Sequence, residues 1–269
     1  MPLVSVKTIE SKPEGLVFYS ESGLGKTTLL CEAVKASKNG ILFECGESGI
    51  ADLRGHSAVE GVPHYDHPIG MGTTQEELIT GWTEEFKNKV LKPLMIEDHG
   101  FTTVAFDNFD NLINNNLDAY ILKSVYNNDV KKANGWGGAK CNEMYEELNL
   151  VIKSFEFLQK KGISIILSFH SQIINHKGPT EDDSYKRWSL AIPARVDADL
   201  RDKIINWSSC TLFGTREVVT EDRKIKSDKR VLKTQRCAAY DAKCRYIIPE
   251  TIDFSYVSFM EAMKKGKVI

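Results

Sequence analysis

The sequence predicts an α/β fold: a central, mostly parallel sheet flanked by helices, with antiparallel edge strands toward the C-terminus. Three observations carry this. Residues 20–28 read SESGLGKTT, directly after the apolar run 16–19 and directly before a helical pattern. Residues 101–106 form a second apolar run that ends in Asp107, and residues 163–169 a third that ends in His170, Ser171 and Gln172. Short apolar runs that alternate with helical patterns indicate buried parallel strands joined by crossover helices.

The first run leads into a phosphate-binding loop. In the pattern G-x-x-x-x-G-K-[ST], small residues let backbone N–H groups close around a triphosphate, the Lys reaches the outer phosphates and the hydroxyl binds magnesium. Gly25, Lys26 and Thr27 stand where that chemistry needs them, and the cradle spans Ser20, Glu21, Ser22, Gly23, Leu24, Gly25, Lys26, Thr27 and Thr28. Ser20 departs from the pattern's first glycine. Its Cβ is tolerated only if the chain there needs no positive φ. Leu16, Val17, Phe18 and Tyr19 supply the strand before the loop, and Leu29, Leu30, Ala33 and Val34 recur at helical spacing until Asn39 and Gly40 stop the helix.

At 269 residues the chain suits one domain over 1–269, with insertion loops at about 50–72, 127–140 and 173–190 and a short C-terminal helix at about 256–266. Lys and Arg number 35 against 37 Asp and Glu, a net charge of −2, so any nucleic-acid binding relies on local patches. No run approaches the ~20 apolar residues of a membrane span, and residues 1–10 lack a targeting pattern, so a cytoplasmic location without membrane contact is expected. The six cysteines include no C-x-x-C pair, so neither disulfides nor zinc are expected. His64 and His67 lack a third ligand and read as a polar loop.

Residues 41–45 form the second strand, followed by GESG at 46–49. Ligands of an open parallel sheet bind at the carboxyl ends of its strands, so Glu47 is the candidate to orient the attacking water, with Glu44 its rival. Thr74 and Glu77 make a capping box for a helix whose apolar face runs from Leu78 to Leu91, and Pro93 is expected to end it. Asp107, at the end of its strand, is the candidate second magnesium residue, with Asp110 as fallback. Asn108 follows Asp107, so the catalytic acid must come from elsewhere, which sharpens the case for Glu47.

Residues 114–140 read as a helix followed by a loop, in which Trp136, with Lys131, Lys132 and Lys140 nearby, could stack a base and hold phosphates. Residues 144–159 form a helix that precedes the third strand. His170 at that strand's end is placed to touch the γ-phosphate and report its loss to the following loop, while a buried, hydrogen-bonded histidine is the plain alternative. That loop, 173–188, interleaves His176, Lys177, Tyr185, Lys186, Arg187 and Trp188 with three acids. The mixture leaves single-stranded DNA binding open. Residues 196–207 read as a helix, 217–229 as a charged hairpin tip, and 230–235 and 246–248 as edge strands around a turn containing Lys243 and Arg245. Cations two residues apart on an extended segment point the same way, and in an oligomeric ATPase such a pair can reach a neighbour's γ-phosphate; a basic surface turn is the alternative.

Taken together, SESGLGKTT, GESG, VAFDNFDNL around Asp107, GWGG at Trp136, ILSFHSQ around His170, the K-G-P…Y-K-R-W stretch, and RVLKTQR followed by AKCR resemble the phage-type P-loop ATP-binding proteins with a RecA-like core, a family linked to single-strand annealing and recombination. The resemblance covers most of the chain. It implies a RecA-like ATPase domain with ATP at residues 25–28, Mg2+ held through Thr27 and Asp107, Glu47 near the water, and Lys243 with Arg245 near a subunit interface. It also implies a homo-oligomer in a bacterial host's cytoplasm that acts on single-stranded DNA through loops 127–140 and 173–190. Ser20 in place of the usual Gly bears on hydrolysis rate more than on binding. A small-molecule kinase would need an Arg-rich lid and a GTPase an N-K-x-D segment; neither is visible. A nucleotide-gated assembly module with little turnover is the remaining alternative.

Overall fold

The computed structural model describes residues 14–135, 140–177, 183–195, 198–221 and 224–266. Strand β1 (Gly15–Ser20) is buried throughout and feeds helix α1 (Lys26–Ala36), which returns to β2 (Gly40–Glu44). Beyond the short α2 (Gly49–Asp52) and a long helical crossover come β3 (Thr103–Asp107), the helix Lys140–Lys160 and β4 (Ser164–His176). The chain continues through β5 (Tyr185–Leu190), the two-residue pair β6 (Ala194–Arg195) and β7 (Ala198–Asp199), and the helix Leu200–Trp207. Strands β8 (Cys210–Glu221), β9 (Lys224–Lys233), β10 (Lys243–Cys244) and β11 (Thr251–Asp253) and the helix Tyr256–Lys265 complete it.

The main sheet runs β11-β9-β8-β1-β4-β3-β2. From β8 to β2 neighbouring strands are parallel, whereas β9, β10 and β11 join antiparallel and β5 folds back on β4. This is the α/β architecture expected: a mostly parallel sheet, helices on it, antiparallel strands late in the chain. Two apolar clusters cover its faces. One holds Phe106, Phe109, Phe155, Trp82 and Phe86, the other Phe18, Leu29, Leu30, Leu212 and Phe259. Each fully buried side chain of this size contributes about 1.5–3 kcal/mol.

Several elements differ from the sequence reading. Helix formation does not stop at Pro93 but runs through Gln75–Thr80, Gly81–Leu91 and Lys92–Ile96. The middle segment is π-helical, with the Lys92 N–H donating to Lys87 five residues back, and Pro93 falls in the first turn of the α-segment that follows, where proline is tolerated. The helix read from residue 114 is present, as Leu112–Leu117 and Asp118–Ser124, with Asn116 buried and its amide serving the Gly70 and Leu78 carbonyls. Residues 173–176 and 185–190, expected within a loop, are instead paired antiparallel as the end of β4 and β5. The segment containing Lys243 is not a turn but β10, paired with the start of β8, and residues 246–248 form no strand.

Candidate nucleotide-binding site

Strand β1 ends at Ser20 and α1 begins at Lys26, so five residues make the turn. Its positive φ values fall on Gly23 (74°) and Gly25 (110°), both glycine. Ser20 has no positive φ. Its register partner on β8 is Gly214, where an added Cβ would lie 3.1 Å from the Ser20 Cβ. The neighbouring strand thus supplies the smallness that Ser20 lacks. No acid stands in the first turn of α1, and Lys26 arches back so that Nζ donates to the Glu21 carbonyl at 3.3 Å. Free N–H groups at a helix start, a glycine-rich turn and an ammonium above it form an anion site. Burial pulls the Lys26 pKa down, while Asp107, Asp110 and Glu47 oppose that pull.

Parallel register brings the other groups to the same edge. Ser20 lies opposite His170, and Glu44 opposite Asp107. Thr27 Oγ1 donates to Asp107 Oδ2 at 2.6 Å, joining the loop to the strand end. Asp107 is 2% exposed; burial raises its pKa, against hydrogen bonds from Ser168 and Thr27 and the charge of Lys26. The Ser168 hydroxyl lies against both Asp107 Oδ1 and Asn108 Oδ1. A hydroxyl touching a buried carboxylate fits a magnesium ion. Such an ion keeps several waters and takes phosphate oxygens besides one or two protein groups. Among the described residues no cluster of three His, Cys, Asp or Glu could hold a metal.

The two glutamates separate. Glu44 is buried and its Oε1 accepts the Ile50 N–H at 2.7 Å, so it anchors α2. Glu47 is half-buried and accepts from the Asn108 amide; burial, then the charge of Asp107, raises its pKa. His170 gives its backbone N–H to Asp110 Oδ1 (3.1 Å), and its Nδ1 meets Asp110 Oδ2 at 2.9 Å. Asp110 therefore orients the imidazole and leaves Nε2 for another partner. Lys26, Thr27, Glu47, Asp107 and His170 thus lie on one edge of the sheet.

Lys243 and Arg245 do not join them. Arg245 N–H donates to Ser209 O and Ser209 N–H to Gly15 O, which places the pair at the start of β1. That is roughly 16 Å from Ser20 at ~3.3 Å per residue. Lys243 Nζ donates to the carbonyls of Ile205 (2.8 Å), Asn206 (3.2 Å) and Ser208 (2.8 Å), capping the helix Leu200–Trp207. This corrects the expectation that its ammonium is free for a neighbour; Arg245 is exposed. The cation at the loop is instead Arg230 of β9. It donates to the Leu24 carbonyl at 3.0 Å and lies 5.8 Å from the centre of the Phe254 ring. Nothing in the charged run 217–230 marks Arg230 from its neighbours, whereas Ser168 and Asp110 carry a faint signal, a hydroxyl inside an apolar run and a second acid three residues after Asp107.

In the β4–β5 hairpin, Arg187 is 2% exposed and paired with Asp241, and Trp188 packs on Phe213. These two are structural, which corrects their reading as stacking or phosphate-binding groups. Lys186 is exposed and His176 packs edge-on against Tyr185. Lys140 pairs with Asp118, while Trp136 lies outside the described residues.

A glycine-rich loop before a helix, closed by a lysine and linked to a strand-end carboxylate, defines a P-loop nucleotide-binding domain. A protein-family profile described as an AAA domain matches residues 12–246, and the chain belongs to that family. A comparison with curated protein sequences finds no match. Among solved structures, the crystal structure of the RadB recombinase is similar at 14% identity over 83% of this chain and 89% of that one, with a TM-score of 0.36. Among the described residues no helix is long and apolar enough to cross a membrane.

Proposed function

We propose that this AAA-family protein is a magnesium-dependent ATPase, hydrolysing ATP to ADP and phosphate, of phage or prophage type, whose turnover serves DNA recombination, single-strand annealing, replication or repair. The contact between Thr27 and Asp107 carries the ATPase part, because it joins a nucleotide cradle to a buried carboxylate at the place a phosphate-bound Mg2+ needs both. When bound, Mg2+ neutralises the outer phosphates and polarises their oxygens. Lys26 adds positive charge beside the γ-phosphate. Glu47, held by Asn108 and with its pKa raised by burial, orients the water and takes its proton. His170, oriented by Asp110, faces the phosphate edge through Nε2 and couples the loss of the γ-phosphate to the hairpin that β4 enters.

The DNA part rests on that hairpin and on the sequence resemblance. Lys177 and Lys186 stand beside the His176–Tyr185 pair, a cation and ring arrangement that suits a single strand. The protein acts as a homo-oligomer, and exposed Arg245 is assigned to a neighbouring subunit's phosphates. Hydrolysis measured with and without single-stranded DNA, at several salt and protein concentrations, tests the reading. The expected result is stimulation by DNA that weakens with salt and rises steeply with protein concentration. Tight nucleotide binding with no turnover under any condition overturns it in favour of an assembly module.

A further inference from the structure

We propose that Cys210 and Cys244 form a peroxide-responsive modification site, closing to a disulfide that ties β10 to β8 at the sheet edge remote from the nucleotide. The two are 34 positions apart in sequence yet directly opposite in the antiparallel register. The next pair along, Arg245 and Ser209, is joined by an N–H···O bond, so Cys210 and Cys244 occupy a pair without backbone hydrogen bonds between them. That is the position where facing side chains come closest. Their sulfurs are 2.7 Å apart.

The surroundings divide the roles. Cys210 is fully buried, while Cys244 is half-buried and lines a cleft of about 490 Å3 together with Lys243 and Arg236. A molecule as small as a peroxide reaches Cys244 from that cleft. The hydrogen bond with Cys210 lowers the Cys244 pKa, and the same bond, with burial, raises that of Cys210. Cys244 is therefore the nucleophile and Cys210 the resolving thiol. The Cys244 thiolate attacks one peroxide oxygen, the O–O bond breaks, and the departing oxygen takes a proton to leave as water or an alcohol. Cys210 sulfur then displaces hydroxide from the Cys244 sulfenic acid, and with the Cys210 proton that hydroxide leaves as water. The two thiols lose two electrons and the peroxide gains them.

Other thiols are poor competitors for this chemistry. Cys31 and Cys45 are buried, and burial pushes Cys31 up to about 12 and Cys45 well above its ordinary value. Cys237 is exposed and Cys141 half-buried, so these two are the thiols to control for, Cys237 by substitution and Cys141 by its own peptide in the map. The bond encloses β8, β9 and Arg230, so it restrains in the unfolded chain the arm that reaches the phosphate loop.

The test treats the native chain and a Cys237→Ser chain with equimolar hydrogen peroxide, alkylates remaining thiols, and maps the products by peptide mass spectrometry. The expected result is a Cys210–Cys244 peptide pair as the main product in both, two thiols lost per chain in Cys237→Ser, and a higher Tm that dithiothreitol reverses. Cys210→Ser should accumulate a dimedone adduct on Cys244, and Cys244→Ser should leave Cys210 reduced. A disulfide between any other pair, or oxidation of Cys244 no faster than that of Cys31, overturns the proposal even in the native chain. The ATPase reading stands or falls separately.

Discussion

The two edges of the sheet use similar residues for opposite ends. At the carboxyl edge of β1, Lys26 reaches back over the loop to a single carbonyl and has acids around it. At the amino edge, Lys243 also loses proton affinity through burial, yet three carbonyls of one helix end hold its ammonium. Both lysines are partly desolvated. What separates them is access: Lys26 stands over a turn of glycine and free N–H groups, whereas Lys243 completes a structure already closed. A perturbed cation marks a functional site only when it has a place left for a ligand.

That contrast can be broken by substitution. Glu47→Gln should lower kcat by about 10²–10⁴-fold, the range for loss of a general base, with ATP affinity retained. Because the Glu47 pKa is raised, the native rate should fall as pH drops through that value, and this acid limb should vanish in Glu47→Gln. A pH–rate profile of both proteins decides it. Lys26→Ala should weaken ATP binding at equilibrium by about 2–5 kcal/mol, the scale for truncating a buried charged partner; unchanged binding would remove the site from this edge.

Asp107→Asn sharpens the comparison through stability. The Asp107 carboxyl has a higher pKa folded than unfolded, so the native state binds the proton more tightly. Stability therefore falls as pH rises from the unfolded value through the raised one, and remains lower above it. The nucleotide-free Asp107→Asn protein should melt higher than the native chain at pH 7 while losing magnesium-dependent turnover. Thermal melts from pH 4 to 8 should converge at the acid end.

The smallest effects contrast the two late cations. Arg230→Ala frees the Leu24 carbonyl and should weaken ATP binding or turnover about tenfold, the scale of one charge-assisted hydrogen bond. Lys243→Ala should leave ATP affinity within about twofold but cost about 1 kcal/mol of stability through the lost helix cap. A Tm lower by about 2–4 °C would match that cost. If Lys243→Ala instead abolished turnover without lowering Tm, the division between the two edges would be wrong.

Much of this arrangement is legible along the chain because it depends on neighbours in sequence. The apolar runs before Ser20, Asp107 and His170 are strands since an uninterrupted apolar stretch of that length can be buried on both faces of a parallel sheet. The phosphate loop, the Thr74 capping box and the order of strand, loop and helix are local in the same sense. Misreadings concentrate where a local rule met a distant partner. Pro93 sits inside a helical run because π-helical turns precede it. Trp188 and Arg187 resemble a nucleic-acid surface until Phe213 and Asp241 cover them.

By itself, then, the sequence determined the fold class, the loop at residues 20–28 and the carboxylate expected to face it, since these follow from chain-local periodicity and fixed spacing. Tertiary structure alone decided which glutamate anchors α2 and which is held by Asn108, which glycine makes room beside Ser20, which cation reaches the loop, and that Cys210 meets Cys244. Each depends on strand register. The choice of neighbouring strand sets groups 34 to 206 residues apart in contact, and no pattern along the chain encodes that choice residue by residue.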